Sequence, residues 1–294
     1  MRKSTKKLDR ELALFDQESR KNAEANTPDK IKFTPKDLIK IQPLTPKQKE
    51  FFELYDTHII DPFNQSKRDL NIFCDGVAGV GKTMIAFYKA LEEVIEKGTK
   101  EKIIIVRSVV ETRARGFLPG TEEEKEAPFE LPYIGICDQL INYQWRNYER
   151  LKKVGIIEFE STSNLRGVTW NDSVVIVDEC QNMTFHELDT VITRIGKNSR
   201  IVFCGDFEQS DLLTTKNDTS GLPTFKAVLK SMKSFKVIDF GVSDIVRSGL
   251  VREYILAKLA IAKSRNSHNN KPSETEENAN PVEEINESPI EKDV

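Results

Sequence analysis

The stretch Gly76-Val77-Ala78-Gly79-Val80-Gly81-Lys82-Thr83 fills every position of the pattern G-x-x-x-x-G-K-[ST]. Phosphate oxygens need a ring of backbone N–H donors, and side chains beyond Cβ block their approach. Gly76, Gly79 and Gly81 leave room for the loop to turn its amides inward, and the helix that follows points its positive N-terminal dipole at the same anion. Lys82 then reaches the β and γ phosphates of a nucleotide, and the Thr83 hydroxyl joins the coordination of Mg²⁺. The flanks agree. Ile72, Phe73 and Cys74 form a short strand-like run, while Met84, Ile85, Tyr88, Leu91, Val94 and Ile95 follow at helical spacing.

A second chemical signal is Val174 to Glu179, VVIVDE, four apolar residues ending in two carboxylates. A buried strand of an α/β sheet delivers such groups at its carboxyl end, where these folds bind ligands. Asp178 is expected to hold Mg²⁺, directly or through water, and Glu179 to polarise the attacking water. A third strand pattern, Arg200 to Cys204, runs into Gly205-Asp206-Phe207-Glu208-Gln209, whose amide at Gln209 is placed to sense the γ-phosphate or orient water. Upstream, Thr45 and Pro46 open a helix as N-cap and first position. Gln48, one turn inside it, can pair with adenine through one donated and one accepted hydrogen bond, although taken alone a glutamine there is more often a surface residue.

The remaining elements alternate in type. Strands are expected at Lys102–Arg107, at 156–159 and at Phe235–Phe240. Helices are expected at 133–152, 184–195, 221–232 and 248–262, the first of them a single helix packing into the core. Residues 1–42 are charged and read as a partly ordered arm, 43–263 as one domain, and 264–294 as a disordered tail. In that tail acids outnumber bases by five, whereas the whole 294-residue chain carries a formal charge of −3. The remainder is weakly positive, which permits contact with nucleic acid without demanding it. Cysteines at 74, 137, 180 and 204 show no C-x-x-C pair, so they read as small core residues of an intracellular, cytoplasmic protein. No apolar run is long enough to cross a bilayer and no secretory signal is apparent.

Read together, the blocks GVAGVGKT, RSVVETRARGFLPGTEEEKEAP, LRGVTWNDSVVIVDECQNMT, TRIG, GDFEQSDL and DIVRSGLV resemble the PhoH-like family of P-loop ATPases, itself similar to the first motor domain of superfamily 1 helicases. The resemblance runs from about Leu44 to Leu259. It implies a RecA-like P-loop NTPase: a single α/β domain with a mostly parallel central sheet and helices on both faces. It also implies ATP and Mg²⁺ as cofactors, Lys82 and Thr83 on phosphate and Mg²⁺, Asp178 and Glu179 as the acidic pair, Gln209 coupled to the γ-phosphate, and Gln48 at the place of the adenine-reading glutamine. Arg247 resembles the arginine that contacts the γ-phosphate.

Too few residues follow Gln209 for a second motor domain. If the domain works as a motor, the opposite wall of its site must come from a neighbouring copy, so a head-to-tail homo-oligomer such as a hexameric ring is expected, with Arg247 or Arg194 donated either within one subunit or across the contact. The leading expectation is Mg²⁺-dependent ATP hydrolysis acting on single-stranded RNA or DNA. Arg107, Arg113, Arg115 and Arg166 are the possible backbone contacts, each with an equal reading as an ion-pair partner of nearby glutamates. The alternatives are a nucleotide-controlled assembly protein and, less favoured, a small-molecule kinase.

Overall fold

The computed structural model of the chain describes residues 31–61, 65–108, 122–142, 146–165, 167–206 and 222–269. A short hairpin, β1 (His58–Ile60) with β2 (Lys67–Asp69), precedes the main sheet. That sheet is built from β3 (Asn71–Gly76), β4 (Lys102–Arg107), β5 (Ile157–Ser161), β6 (Ser173–Val177), β7 (Arg200–Gly205) and β8 (Phe235–Phe240). Its order is β5-β4-β6-β7-β3-β8, and every neighbouring pair is parallel. The unbroken apolar runs that marked β4, β6 and β7 follow from this arrangement, because helices cover both faces of the strands. All five residues of β6 are buried.

Among the described residues seven α-helices join the sheets: α1 (Pro46–Tyr55), α2 (Lys82–Leu91), α3 (Glu122–Leu140), α4 (Asn147–Lys153), α5 (Phe185–Ile192), α6 (Leu222–Ser231) and α7 (Gly249–Asn269). On one face of the sheet Phe73, Ile104, Val106, Val175, Val177, Ile201 and Phe203 pack with Leu188 and Val191 of α5 and Phe225 and Leu229 of α6. The other face is covered by α2, which continues as a π-helical segment over Glu92–Lys97 and stops at Gly98, φ 60°. Seven of the ten residues of α2 are buried, Lys89 among them, and its ammonium pairs with Asp56 at 3.0 Å and with Glu92.

At the amino ends of the strands Arg200 is 1 % exposed, a burial that its partners offset. It reaches Asp69 at 2.9 Å, bonds the Tyr55 carbonyl and lies 3.9 Å from the Tyr55 ring centre. Lys100 meets the same Asp69 at 2.7 Å. These contacts tie the hairpin, α1 and β7 together.

Two helix expectations are corrected, and one element was missed. The single helix over 133–152 is two: α3 starts earlier, inside the glutamate run, and α4 begins after Arg146, whose φ of 55° breaks the path. The hairpin of β1 and β2 was not foreseen, since its strands alternate weakly and are largely exposed or half-buried. The closing helix, expected over 248–262, runs to Asn269. Residues 37–39 also lie beside 140–142, with Leu38 bridged to Ile141 and the Ile39 amide donating to the Leu140 carbonyl at 2.7 Å. The chain divides into a unit ending at Arg252 and a second beginning at Glu253.

Candidate nucleotide site

Because all six strands point the same way, their carboxyl ends share one rim, and the residues after β3, β6 and β7 meet there. The glycine loop leaves β3 with Gly76 at φ 145°, Gly79 at 83° and Gly81 at 84°, all in the region that favours glycine. At Gly76 a Cβ would also collide with the carbonyl of Phe240 on β8. Val77 and Val80 turn into the core, Ala78 is exposed, and Gly79 accepts a hydrogen bond from the Val246 amide at 3.1 Å. Lys82 opens α2 and folds its ammonium back over the loop, donating to the carbonyls of Gly76 at 2.6 Å and Val77 at 3.1 Å. This places a positive charge inside a ring of glycine backbone, the arrangement that receives a phosphate.

The two motifs read from the sequence meet directly. Thr83 donates its hydroxyl to Oδ1 of Asp178 at 2.8 Å, a contact spanning 95 residues of sequence. Tyr133 of α3 donates to Oδ2 of the same carboxylate at 2.9 Å. Burial and the neighbouring Glu179 push the Asp178 carboxyl above its ordinary value, against the opposing pull of Thr83, Tyr133 and Arg107. A divalent cation beside it would reverse that push.

The donor set fits Mg²⁺, since a hydroxyl and a carboxylate are hard oxygen ligands. Among the described residues no group of three or more His, Cys, Asp or Glu forms a metal site by itself. The cation would therefore take its further ligands from nucleotide phosphates and water, the usual habit of Mg²⁺.

Glu179 follows Asp178 in a left-handed conformation, φ 52° and ψ 38°, which for a non-glycine residue stores strain of about 1–3 kcal/mol. Its side chain accepts from the Gln181 side-chain amide at 2.5 Å, and Oε1 of Gln181 accepts from the Asp206 backbone amide at 3.1 Å. Gln181 thus bridges the acidic pair to the end of β7. Gly205 makes the approach possible, because a Cβ there would stand 2.5 Å from Cys180 Sγ.

The other expected residues separate into three groups. Gln48 is at the loop, but its amide donates to the Val80 carbonyl at 2.9 Å and accepts from the Leu44 amide at 2.8 Å. It braces the loop from below, and only its second N–H and second lone pair remain for adenine. Arg247 is exposed and follows Val246, the residue that pins Gly79. Arg194 lies at the opposite rim, beyond α5, where its carbonyl accepts from Trp170 ahead of β6, so it does not reach this site.

Gln209, Arg113, Arg115 and Arg166 lie outside the described residues. Arg107, at the end of β4, donates to the Phe129 carbonyl at 3.4 Å and lies over the Phe129 ring. Tyr133 and Gln181 were missed from the sequence. Only Gln181 carried a signal, as an amide two residues after the acidic pair.

Residues 40–258 match the family model described as PhoH-like protein. The chain is 36% identical over 192 residues to a PhoH-like protein of Bacillus subtilis (strain 168), covering 65% of this chain and 59% of that one. It is 33% identical over 187 residues to Protein PhoH of Escherichia coli (strain K12), covering 63% and 52%. A PhoH-like protein of Mycobacterium tuberculosis (strain ATCC 25618 / H37Rv) matches at 32% over 216 residues, covering 73% and 57%. The chain therefore spans between half and three fifths of these relatives' lengths. With a glycine loop and an acidic strand end at one rim of a parallel sheet, and a family match over most of its length, the chain belongs to the PhoH-like family of P-loop ATPases.

Proposed function

We propose that this chain binds ATP with Mg²⁺, hydrolyses it, and couples turnover to a single-stranded polynucleotide. The observation that carries the reading is the 2.8 Å contact between Thr83 and Asp178, which joins the phosphate loop to the acidic strand end. The loop amides and Lys82 hold the phosphates, and Thr83 with Asp178 holds the cation. Bound there, Mg²⁺ would neutralise charge developing on the transferred phosphoryl group. Glu179, oriented by Gln181, accepts the proton of the attacking water. Arg247 stands exposed at the rim, where a guanidinium can spread positive charge over the phosphates.

The polynucleotide part rests on the family's likeness to helicase motor domains and on Arg107 at the sheet's carboxyl rim. Its test is ATP hydrolysis across a panel of RNA and DNA strands at two ionic strengths. Stimulation that weakens as salt rises is expected. A rate indifferent to every strand at low salt removes the coupling, and absence of Mg²⁺-dependent turnover removes the enzyme.

A second reading, assembly controlled by nucleotide, is favoured by Leu250, an apolar residue 79% exposed three positions after Arg247. A neighbouring copy seated there would cover it and meet Arg247. Sizing the protein with and without a non-hydrolysable ATP analogue tests this, and a size that ignores the analogue rejects it.

A further inference from the structure

Helix α3 supplies no residue of the glycine loop or the acidic pair, yet it sends a polar atom into the site. Tyr133 is fully buried and donates its hydroxyl to Oδ2 of Asp178, the oxygen that Thr83 leaves unused. With a donor on each oxygen, from α2 and from α3, the carboxylate is fixed in one orientation. Both donors are neutral. A lysine or arginine bonded in the same place would cancel the charge that a divalent cation needs, whereas two hydroxyls orient the carboxylate and leave its charge available.

The tyrosine is itself held firmly. Its ring stacks on Phe87 at 6.1 Å and 13°, and packs with Tyr148 at 6.5 Å and Phe159 at 6.2 Å. Phe87 belongs to the helix that leaves the phosphate loop, so the stack fixes α3 relative to that helix. Behind it, Tyr148 donates to Glu130 at 2.5 Å, and Lys152 closes on the same carboxylate at 2.8 Å.

We propose that Tyr133 is a positioning residue for the Mg²⁺ ligand Asp178, setting the strength with which the site holds the cation. The proposal rests on the assignment of Asp178 to Mg²⁺ made above. Partners that orient a ligand without touching the metal typically change metal affinity 10- to 100-fold when removed.

The test uses the full chain and a fluorescent ATP analogue, reading the factor by which Mg²⁺ strengthens analogue binding, alongside thermal melting. Tyr133→Phe keeps the ring and its stack and removes only the hydroxyl. It should lower the factor by about tenfold while leaving binding in EDTA unchanged. Tyr148→Phe, which removes a buried hydroxyl from the same stack without facing Asp178, should leave the factor within about twofold of wild type; this control threshold is set well below the expected loss. Asp178→Asn should abolish the enhancement.

If Asp178→Asn loses the enhancement and Tyr133→Phe does not, the role of Tyr133 is overturned while the metal site stands. If Asp178→Asn behaves as wild type, the metal assignment fails and this proposal with it. If Tyr148→Phe falls as far as Tyr133→Phe, the effect is general loosening of the stack and the proposal fails.

Discussion

Replacing Gly205 by alanine probes a close approach beside the acidic pair. The new methyl would stand 2.5 Å from Cys180 Sγ and 3.3 Å from Gln181 Oε1. Carbon and sulfur cannot approach so closely, and Cys180 is 0% exposed, so the sulfur has no free space to enter. Overpacking of this kind costs about 1–3 kcal/mol. The backbone at Gly205 is ordinary strand, where alanine would otherwise gain about 0.4–1 kcal/mol by restricting the unfolded chain. Cys180→Ala removes the obstacle, at a cost of about 1 kcal/mol for a small buried group.

In the double variant the methyl occupies the space the sulfur left. Its stability should return to within about 1 kcal/mol of wild type, giving a coupling energy of about 1–3 kcal/mol. Urea unfolding of the four proteins, with unchanged m-values, measures that coupling. Displacing Gln181 also unhooks Glu179, so Gly205→Ala should slow turnover more than it weakens nucleotide binding, and Cys180→Ala should restore the rate. Stabilities that add to within about 0.5 kcal/mol would refute the close packing of β7 on the turn at Cys180.

Lys82→Ala should abolish ATP turnover while far-UV circular dichroism stays that of the wild type; a wild-type rate shows the site is misassigned. Glu179→Gln should bind a fluorescent ATP analogue with near wild-type affinity and hydrolyse ATP at least about 100-fold more slowly, the scale of lost general-base catalysis. For Asp69, burial raises the carboxyl's pKa, but Arg200 and Lys100 outweigh it and bring the value below its ordinary 3.8. A depressed folded value means this stability is present above the unfolded value and is lost as pH falls through the folded one. Asp69→Asn should therefore be less stable than wild type at pH 7, with the difference closing below about pH 4 in acid-unfolding curves. Arg200→Ala leaves Asp69 and Glu93 short of their cation and should cost about 3–5 kcal/mol by urea unfolding, and a loss under 1 kcal/mol would show the buried arginine does not organise that rim.

What the sequence disclosed and what it hid divide along range of interaction. The glycine loop, the acidic strand end and the apolar strands are local patterns, and each was readable where it stood. The break between α3 and α4 was not, because the apolar spacing runs on through it, whereas α3 ends at Leu140 where Ile141 bridges to the distant Leu38, and α4 begins only after Arg146 with its φ of 55°. Pro128 and Pro132 within α3 also argue against a helix there, yet the helix persists around them. Tyr133 lies 45 residues from its partner, and no spacing rule links an aromatic on one helix to a carboxylate after a distant strand. Gln48 shows the converse. Its position was legible, but its buried contacts with Leu44 and Val80 emerge only once the loop is folded over it.

A sheet whose strands all run one way separates its two ends by task. Groups proposed to grip phosphate and cation gather on one side, while the fully buried arginine and its acidic partners fasten the other. Drift in the fastening end can raise or lower the melting point with the reacting atoms left in place, and drift at the gripping end can retune chemistry on an unchanged frame. Such a domain can therefore be adapted to temperature and to substrate by changes that do not interfere with one another.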